Sequence, residues 1–243
     1  MKFLLTAINA KFIHSNPAIY SLRAGVGEKL QSYVELAEFT INESLESILE
    51  GIWKRQPKVI GFSCYIWNWK LIREILTELP KILPNTEIWL GGPEVTYDGP
   101  GLLSEFPQVT GIMVGEGEVT FREVLDQYVR EAESTGQSEQ QPEPDSIEQQ
   151  ATDRTGTVTG KTVAERFGQI SGLCLASGYT APRELTDLTT LPFLYEDMEP
   201  FTNRIIYYET SRGCPYRCSY CLSSIDKKVR LRDIDVVKRE LQF

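Results

Sequence analysis

The sequence predicts an α/β fold: a doubly wound parallel sheet, then a linker, a small hairpin, and a last strand and helix. In the first 130 residues, five short apolar runs bounded by turn residues alternate with segments whose apolar residues recur every three or four positions. Strands alternating with amphipathic helices are typical of a parallel sheet covered by helices on both faces. The 243 residues, 41% of them apolar, suffice for such a core.

The five apolar runs are the predicted strands, at residues 2–8, 33–39, 58–64, 87–92 and 111–115. The helical segments between them repeat one pattern, as in Leu45, Ile48, Leu49 and Ile52. This spacing puts the apolar side chains on one helix face, which can pack on the sheet. We therefore assign residues 1–133 to the first domain.

The rest of the chain divides by composition. Residues 134–168 are a predicted flexible linker or insertion, because residues 131–166 are rich in Glu, Gln and Ser and contain no aromatic residue. Residues 169–203 form a predicted hairpin, with Cys174 as a buried thiol, and a proline-stiffened connector. Residues 204–243 begin with a predicted strand at 204–210 and end with a helix at 233–241.

Charge and hydropathy exclude several classes of protein. The 25 basic and 34 acidic side chains leave a net charge of −9, so a surface that coats nucleic acid is not expected. No run of eighteen apolar residues could span a membrane, and no cleavage site follows the short apolar patch at the N-terminus. We expect a cytoplasmic protein whose five cysteines are reduced.

Ligand sites of a doubly wound sheet lie at the carboxyl ends of its strands, where this chain carries the segments "NAKFIHSNP", "SCYIWNW", "GGPEV" and "GEGEVT". Their glycines serve either tight turns or the close approach of a large ligand. Glu94, Glu116 and Glu118 could act as acids or bases, but capping of the following helix is favoured.

Three cysteines lie within eight residues in the segment "SRGCPYRCSYC": Cys214, Cys218 and Cys221. A structural zinc site requires four ligands, and here the remaining candidates, Cys64, Cys174 and His14, are remote in sequence. A 4Fe-4S cluster held by three thiolates leaves one iron free for another ligand. The spacing therefore favours a cluster, with zinc as the alternative.

This cysteine spacing, with Tyr220 before the third cysteine and a strand leading in, resembles the signature of the radical S-adenosylmethionine superfamily. The resemblance implies that Cys214, Cys218 and Cys221 hold the cluster, that S-adenosylmethionine binds the open iron and that Tyr220 lies near the adenine. It also implies a reducing electron donor of the flavodoxin or ferredoxin type, and radical chemistry on a substrate that the sequence does not identify.

The first domain resembles the cobalamin-binding domain that precedes the radical core in one branch of that superfamily. The resemblance implies that cobalamin lies across the carboxyl ends of the strands, with Ser63 near its nucleotide tail. The implied cofactor-binding residues in this domain are Asn9, His14, Ser63, Gly91, Gly92, Pro93, Glu94, Gly115, Glu116 and Gly117.

His14 departs from the pattern of the histidine that ligates cobalt in related domains, Asp-x-His-x-x-Gly. Phe12 stands at the aspartate position and Pro17 at the glycine position. A ligating imidazole needs an acceptor that fixes its tautomer. A loop histidine is therefore favoured over a cobalt ligand.

Three functions remain open. The first is the N-terminal portion of a cobalamin-binding radical enzyme, with methyl transfer as one option; the second is a cofactor-binding module or scaffold without catalysis; the third is a zinc protein. Only 22 residues follow Cys221, too few for the barrel of a radical core. We therefore expect a truncated fragment with an incomplete barrel that does not turn over alone.

Overall fold

The computed structural model describes residues 1–134, 160–195, 197–222 and 228–243. A seven-stranded sheet has the strand order β2-β1-β3-β4-β5-β6-β7. Its first five strands are parallel, and β6 and β7 are antiparallel to their neighbours. The strands are β1 (Phe3–Asn9), β2 (Val34–Thr40), β3 (Val59–Ser63), β4 (Glu87–Gly91), β5 (Val109–Met113), β6 (Leu173–Leu175) and β7 (Gly178–Tyr179).

Helices connect and flank these strands. They are α1 (Pro17–Gly25), α2 (Glu28–Gln31), α3 (Leu45–Trp53), α4 (Trp69–Ile82), α5 (Gly99–Glu105), α6 (Gly117–Ser134), α7 (Val163–Phe167) and α8 (Ile234–Leu241). Side-chain caps begin several of them: Asn16 accepts from the Ile19 amide, and Ser44 accepts from the Ser47 amide. None of the described helices has the length and apolar content to cross a bilayer.

The sheet separates two apolar cores, which confirms the predicted doubly wound fold. Alternate side chains of β1 point to opposite faces. Phe3 and Leu5 pack with residues of α1, α6 and α7, whereas Leu4 and Ile8 pack with residues of α3, α4 and α5. The strand boundaries lie within two residues of the predicted ones.

The β6–β7 hairpin extends the sheet beyond β5, where Ile112 faces Cys174 in an antiparallel pair. The hairpin forms as predicted, and Cys174 is fully buried. Its addition to the main sheet was not predicted. It covers an edge of the parallel sheet, which would otherwise expose unpaired backbone groups.

The predicted linker at 134–168 is wrong at its end, because residues 163–167 form α7 and the Arg166 side chain is only 1% exposed. Its guanidinium pairs with Glu87 and Glu131, each at 2.9 Å, and lies over the rings of Tyr128 and Phe167. These contacts hold residues 163–167 in a helix, although the polar composition of the segment predicts a flexible linker. The rest of the predicted linker, residues 135–159, lies outside the described residues.

The strand predicted at 204–210 does not form. Ile205 makes a single parallel bridge to His14, and pairing begins only at β8 (Ser211–Arg212), opposite β9 (Arg230–Leu231). The apolar side chains of Ile205 and Ile206 remain partly exposed because no strand of the described residues lies beside them. The predicted last helix does form as α8, capped by Asp233.

Candidate functional site

A cleft of about 1170 Å³ opens at the carboxyl ends of β1, β3, β4 and β5. Typical small-molecule sites measure about 300–1,000 Å³, so this cleft can accept a large ligand. It continues down one face of the sheet, between the strands and the helices α1 and α6, as far as Phe3, Leu5 and Trp89. Residues 191–195 and 207–212 line it from the C-terminal side.

The central strands leave a groove in the wall of this cleft, which we call the slot: Gly61, Ser63 and Gly91. Ser63 and Gly91 are paired in register, and Gly61 lies two residues before Ser63 on the same face. A Cβ at Gly61 would lie 3.2 Å from the Phe3 ring, tighter than ordinary contact, and one at Gly91 would lie 3.7 Å from Cβ of Met113. Because these three small residues line the cleft, the slot is open to a flat or extended ligand group. Sequence analysis missed Gly61, although glycine inside an apolar strand was the available signal.

Two other predicted glycines have backbone roles. Gly92 has a φ of 108°, and a Cβ there would lie 2.5 Å from the carbonyl oxygen of Cys64, so it lets the backbones after β3 and β4 lie close together. Gly115 has a φ of 79° with no atom within 4 Å of its would-be Cβ, so it serves the turn before α6. Both glycines line the cleft, as do Pro93 and Gly117; Glu94 does not.

A buried carboxylate, Glu38, organises the rim of the cleft near β1. Its side chain is 10% exposed and accepts hydrogen bonds from Asn9 Nδ2 (2.9 Å), the Asn16 amide (3.0 Å), the Tyr20 hydroxyl (2.8 Å) and Arg204 (2.5 Å). Burial raises the pKa of Tyr20, and the hydrogen bond to Glu38 raises it further. Asn9, a predicted site residue, is thus held in place by Glu38, which sequence analysis missed.

His14 lines the cleft and contacts the C-terminal segment. Its Nδ1 is hydrogen-bonded to the hydroxyl of Tyr207, and the two rings stack with centroids 5.9 Å apart. Phe12 and Pro17, which replace the aspartate and glycine of the histidine pattern, have other roles. Phe12 packs under the Arg204 guanidinium, and Pro17 begins α1.

Two carboxylates at the start of α6 pair with arginines from the β8–β9 ribbon. We call these four residues the clasp: Glu116, Glu118, Arg212 and Arg230. Arg212 lies 2.6 Å from Glu118 and 3.5 Å from Glu116, and Arg230 pairs with Glu116. Glu118 is also in the first turn of α6, where negative charge is favourable, but its closest partners are Arg212 and Ser21.

Glu116 should make stability depend on acidic pH. Burial raises its pKa, but the hydrogen bond from Arg230, the Thr186 amide and the charge of Arg212 outweigh burial and bring the pKa below its ordinary value of 4.5. A carboxylate with a lowered folded-state pKa stabilises above the unfolded value and loses that contribution as pH falls through the folded value. We expect the stability difference between the wild type and Glu116→Gln to be constant above about pH 5.5 and to shrink below pH 4.5 in urea unfolding series. A difference independent of pH would contradict this.

The three cysteines of the predicted cluster site lie on residues 214–221, which we call the cysteine loop. Cys214, Cys218 and Cys221 are partly buried thiols. Among the described residues, no three Cys, His, Asp or Glu side chains are arranged to hold a metal ion. Tyr220 is 90% exposed and does not line the cleft, whereas Leu222 does. Cluster ligation by these cysteines stays a prediction.

A protein-family comparison identifies the domain that forms the cleft. The family model of the B12 binding domain matches residues 4–125. This chain belongs to the B12-binding domain family. The match covers β1 to β5 and the first part of α6, and therefore the strands that carry the slot.

Two curated relatives of this B12-binding chain are methyltransferases. The cobalamin-dependent radical SAM methyltransferase TokK of Streptomyces tokunonensis is 31% identical over 68% of this chain and 22% of its own length. The 2-(S-pantetheinyl)-carbapenam-3-carboxylate methyltransferase of Streptantibioticus cattleyicolor is 28% identical over 83% of this chain and 27% of its own length. The predicted resemblance to cobalamin-binding radical enzymes is confirmed. The chain spans about a quarter of the length of these relatives.

A solved structure shares the fold over nearly the whole chain. The cobalamin-dependent S-adenosylmethionine radical enzyme OxsB, with aqua-cobalamin and S-adenosylmethionine bound, superposes with a TM-score of 0.64 at 17% identity. The superposition covers 98% of this chain and 31% of OxsB. It shows that the two proteins have the same fold in this region.

Proposed function

We propose that residues 1–133 bind cobalamin, and that the chain is the cobalamin-binding portion of a radical S-adenosylmethionine methyltransferase. The observation that carries the proposal is the slot, which opens into the cleft at the end of the strands that the B12 family model covers. Support for methyl transfer comes from the relatives named above.

The residues of the cleft fit a corrin ring with a nucleotide tail. The slot would receive the tail between the sheet and helices α1 and α6, and Ser63 would bond it; the Ser63 hydroxyl already accepts from Asn16 Nδ2 at 3.3 Å. Pro93 and Gly115 at the mouth would lie beside the ring. When bound, cobalamin supplies a cobalt centre that can carry a methyl group. The protein would bind and orient the cobalamin and cover it with residues 191–195 and 207–212.

The cysteine loop fits a 4Fe-4S cluster in the kind of donor it offers, but the described arrangement does not gather the three thiols. We therefore propose no catalytic step for these three cysteines. By family resemblance, we also propose that S-adenosylmethionine binds near Tyr220. The same resemblance supports an electron donor of the flavodoxin or ferredoxin type and a cytoplasmic location. A binding module without catalysis is the second candidate, favoured by this arrangement of the thiols.

An anaerobic titration with hydroxocobalamin, followed by absorption spectroscopy, tests cobalamin binding. We expect one equivalent to bind at micromolar protein. Cobinamide, which has the corrin ring but lacks the nucleotide tail, should bind more weakly because it leaves the slot unused. Equal affinity for the two would contradict the role of the slot, and failure of both to bind would refute the proposal.

Replacing His14 with alanine should leave the absorption spectrum of bound hydroxocobalamin unchanged. The reason is that Phe12 stands at the position of the aspartate that partners a cobalt-ligating histidine. The imidazole Nδ1 is hydrogen-bonded to the Tyr207 hydroxyl. The affinity should fall by no more than about tenfold, the effect of one lost hydrogen bond. Tyr207→Phe is the control, because it removes the same bond and keeps the imidazole. A spectral shift in His14→Ala alone would show that His14 ligates cobalt.

A further inference from the structure

We infer that the clasp couples occupancy of the cleft to the order of the cysteine loop, with Arg212 and Arg230 as positioning residues. This inference rests on the proposed function, because it takes cobalamin as the ligand of the cleft. It assigns to the clasp the task of fixing where the loop lies relative to that ligand.

The two arginines of the clasp lie on either side of the cysteines. Arg212 and Arg230 face each other in the antiparallel β8–β9 ribbon, and the cysteines lie on the segment between them. Arg212 is two residues before Cys214. Since β8 is bound to Glu118 of α6 and β9 to Glu116, the residue just before α6, the clasp holds both ends of the loop.

The four charged side chains of the clasp are largely shielded from solvent. The side chains of Arg212 and Arg230 are 17% and 20% exposed, and those of Glu116 and Glu118 are 14% and 8% exposed. Charge pairs with this degree of burial are screened much less by salt than surface pairs. Losing one partner leaves the other partly desolvated and unpaired, so the clasp holds one geometry rather than many.

The clasp forms part of the wall of the cleft. Glu116, Glu118 and Arg212 all line it. A ligand that fills the cleft therefore contacts the clasp, and the cysteines follow Arg212 directly in the sequence. Glu118 also accepts from Ser21 at 3.1 Å, which ties the clasp to α1, the helix that begins beside His14. A ligand that stabilises α1 and α6 thereby stabilises the support of the loop.

Thiol labelling measures this coupling directly. The iron-free protein is treated with a maleimide, and modification of each cysteine is followed by mass spectrometry, with and without saturating cyanocobalamin. Cys64 and Cys174 are fully buried and serve as internal reporters of global unfolding. In the wild type, cyanocobalamin should slow labelling of Cys214 by roughly 5- to 150-fold, the usual range of coupling between two sites.

The Glu116→Gln/Glu118→Gln variant should lose this protection while Cys64 and Cys174 stay unmodified. The control variant, Glu78→Gln/Glu105→Gln, makes the same charge change at two exposed pairs and should keep it. Arg230→Gln opens the clasp from the other side and should reproduce the loss, which covers the case in which the double variant does not fold.

Binding of cyanocobalamin is measured separately by absorption, so two failures can be distinguished. If cyanocobalamin binds but leaves Cys214 labelling unchanged, or if the clasp variants keep the protection, the coupling is overturned and the proposed function stands. If cyanocobalamin does not bind, the proposed function is overturned together with the coupling.

Discussion

Replacing Arg166 with methionine is expected to lower the free energy of unfolding by about 3–5 kcal/mol, because it leaves two buried carboxylates without their partner. Glu87 and Glu131 both bond this guanidinium, and their side chains are 15% and 13% exposed. Burial by itself lowers the pKa of Arg166, but the bonds to Glu131 and Glu87 raise it overall, so the arginine stays charged. Urea unfolding followed by circular dichroism measures the effect.

Arg130→Met is the matched control for this prediction. Arg130 lies on α6 and pairs with Asp126 in an exposed i,i+4 arrangement, so its loss should cost at most about 0.5 kcal/mol. Similar losses for the two variants would mean that the Arg166 network is not what holds α7 against the sheet.

Replacing Gly91 with leucine should weaken cobalamin binding by about 5- to 150-fold. The new side chain would enter the slot, and accommodating extra volume in a packed site costs about 1–3 kcal/mol. The apo fold should persist, because a Cβ at Gly91 makes only an ordinary 3.7 Å contact with Met113. Titration with hydroxocobalamin gives the affinity, and thermal unfolding of the apo protein checks the fold.

Gly91→Ala and Gly91→Val complete a graded series. Affinity should fall in the order Gly, Ala, Val, Leu if volume in the slot is the cause. A leucine variant that binds with wild-type affinity would show that the slot does not receive the cofactor, even if the domain binds it elsewhere in the cleft.

The five parallel strands could be predicted because their signal is local. Four of the five, β1, β3, β4 and β5, are buried on both faces and read as short apolar runs, and the helices bury one stripe at a spacing of three and four. The place of β6 beside β5 could not be predicted, because the sequence of a strand does not name its pairing partner. The strand predicted at 204–210 does not form for a related reason. Residues that favour strands need a neighbouring strand to pair with, and none of the described strands pairs with this segment.

The candidate site was predictable to the extent that it depends on topology. The loops of β1, β3, β4 and β5 meet because the carboxyl ends of parallel strands share one edge. Nine of the ten cofactor-binding residues predicted in this domain line the cleft, and their contact with a cofactor stays a prediction. Glu38 and the clasp were not predictable in this way. Glu38 bonds Arg204 across 166 residues and Glu116 bonds Arg230 across 114, and no local pattern encodes such pairs.

These long separations also set an order of assembly. The pairings among the five parallel strands that form the floor of the cleft lie within residues 1–134, whereas the segment that covers it bonds residues 94 to 193 positions earlier. At a synthesis rate of about 5–20 residues per second, roughly 100 further residues take about 5–20 s. On the ribosome, the floor is therefore expected to form before its cover. A bulky cofactor would then have a period of wide access to the domain before the covering segment narrows the way in.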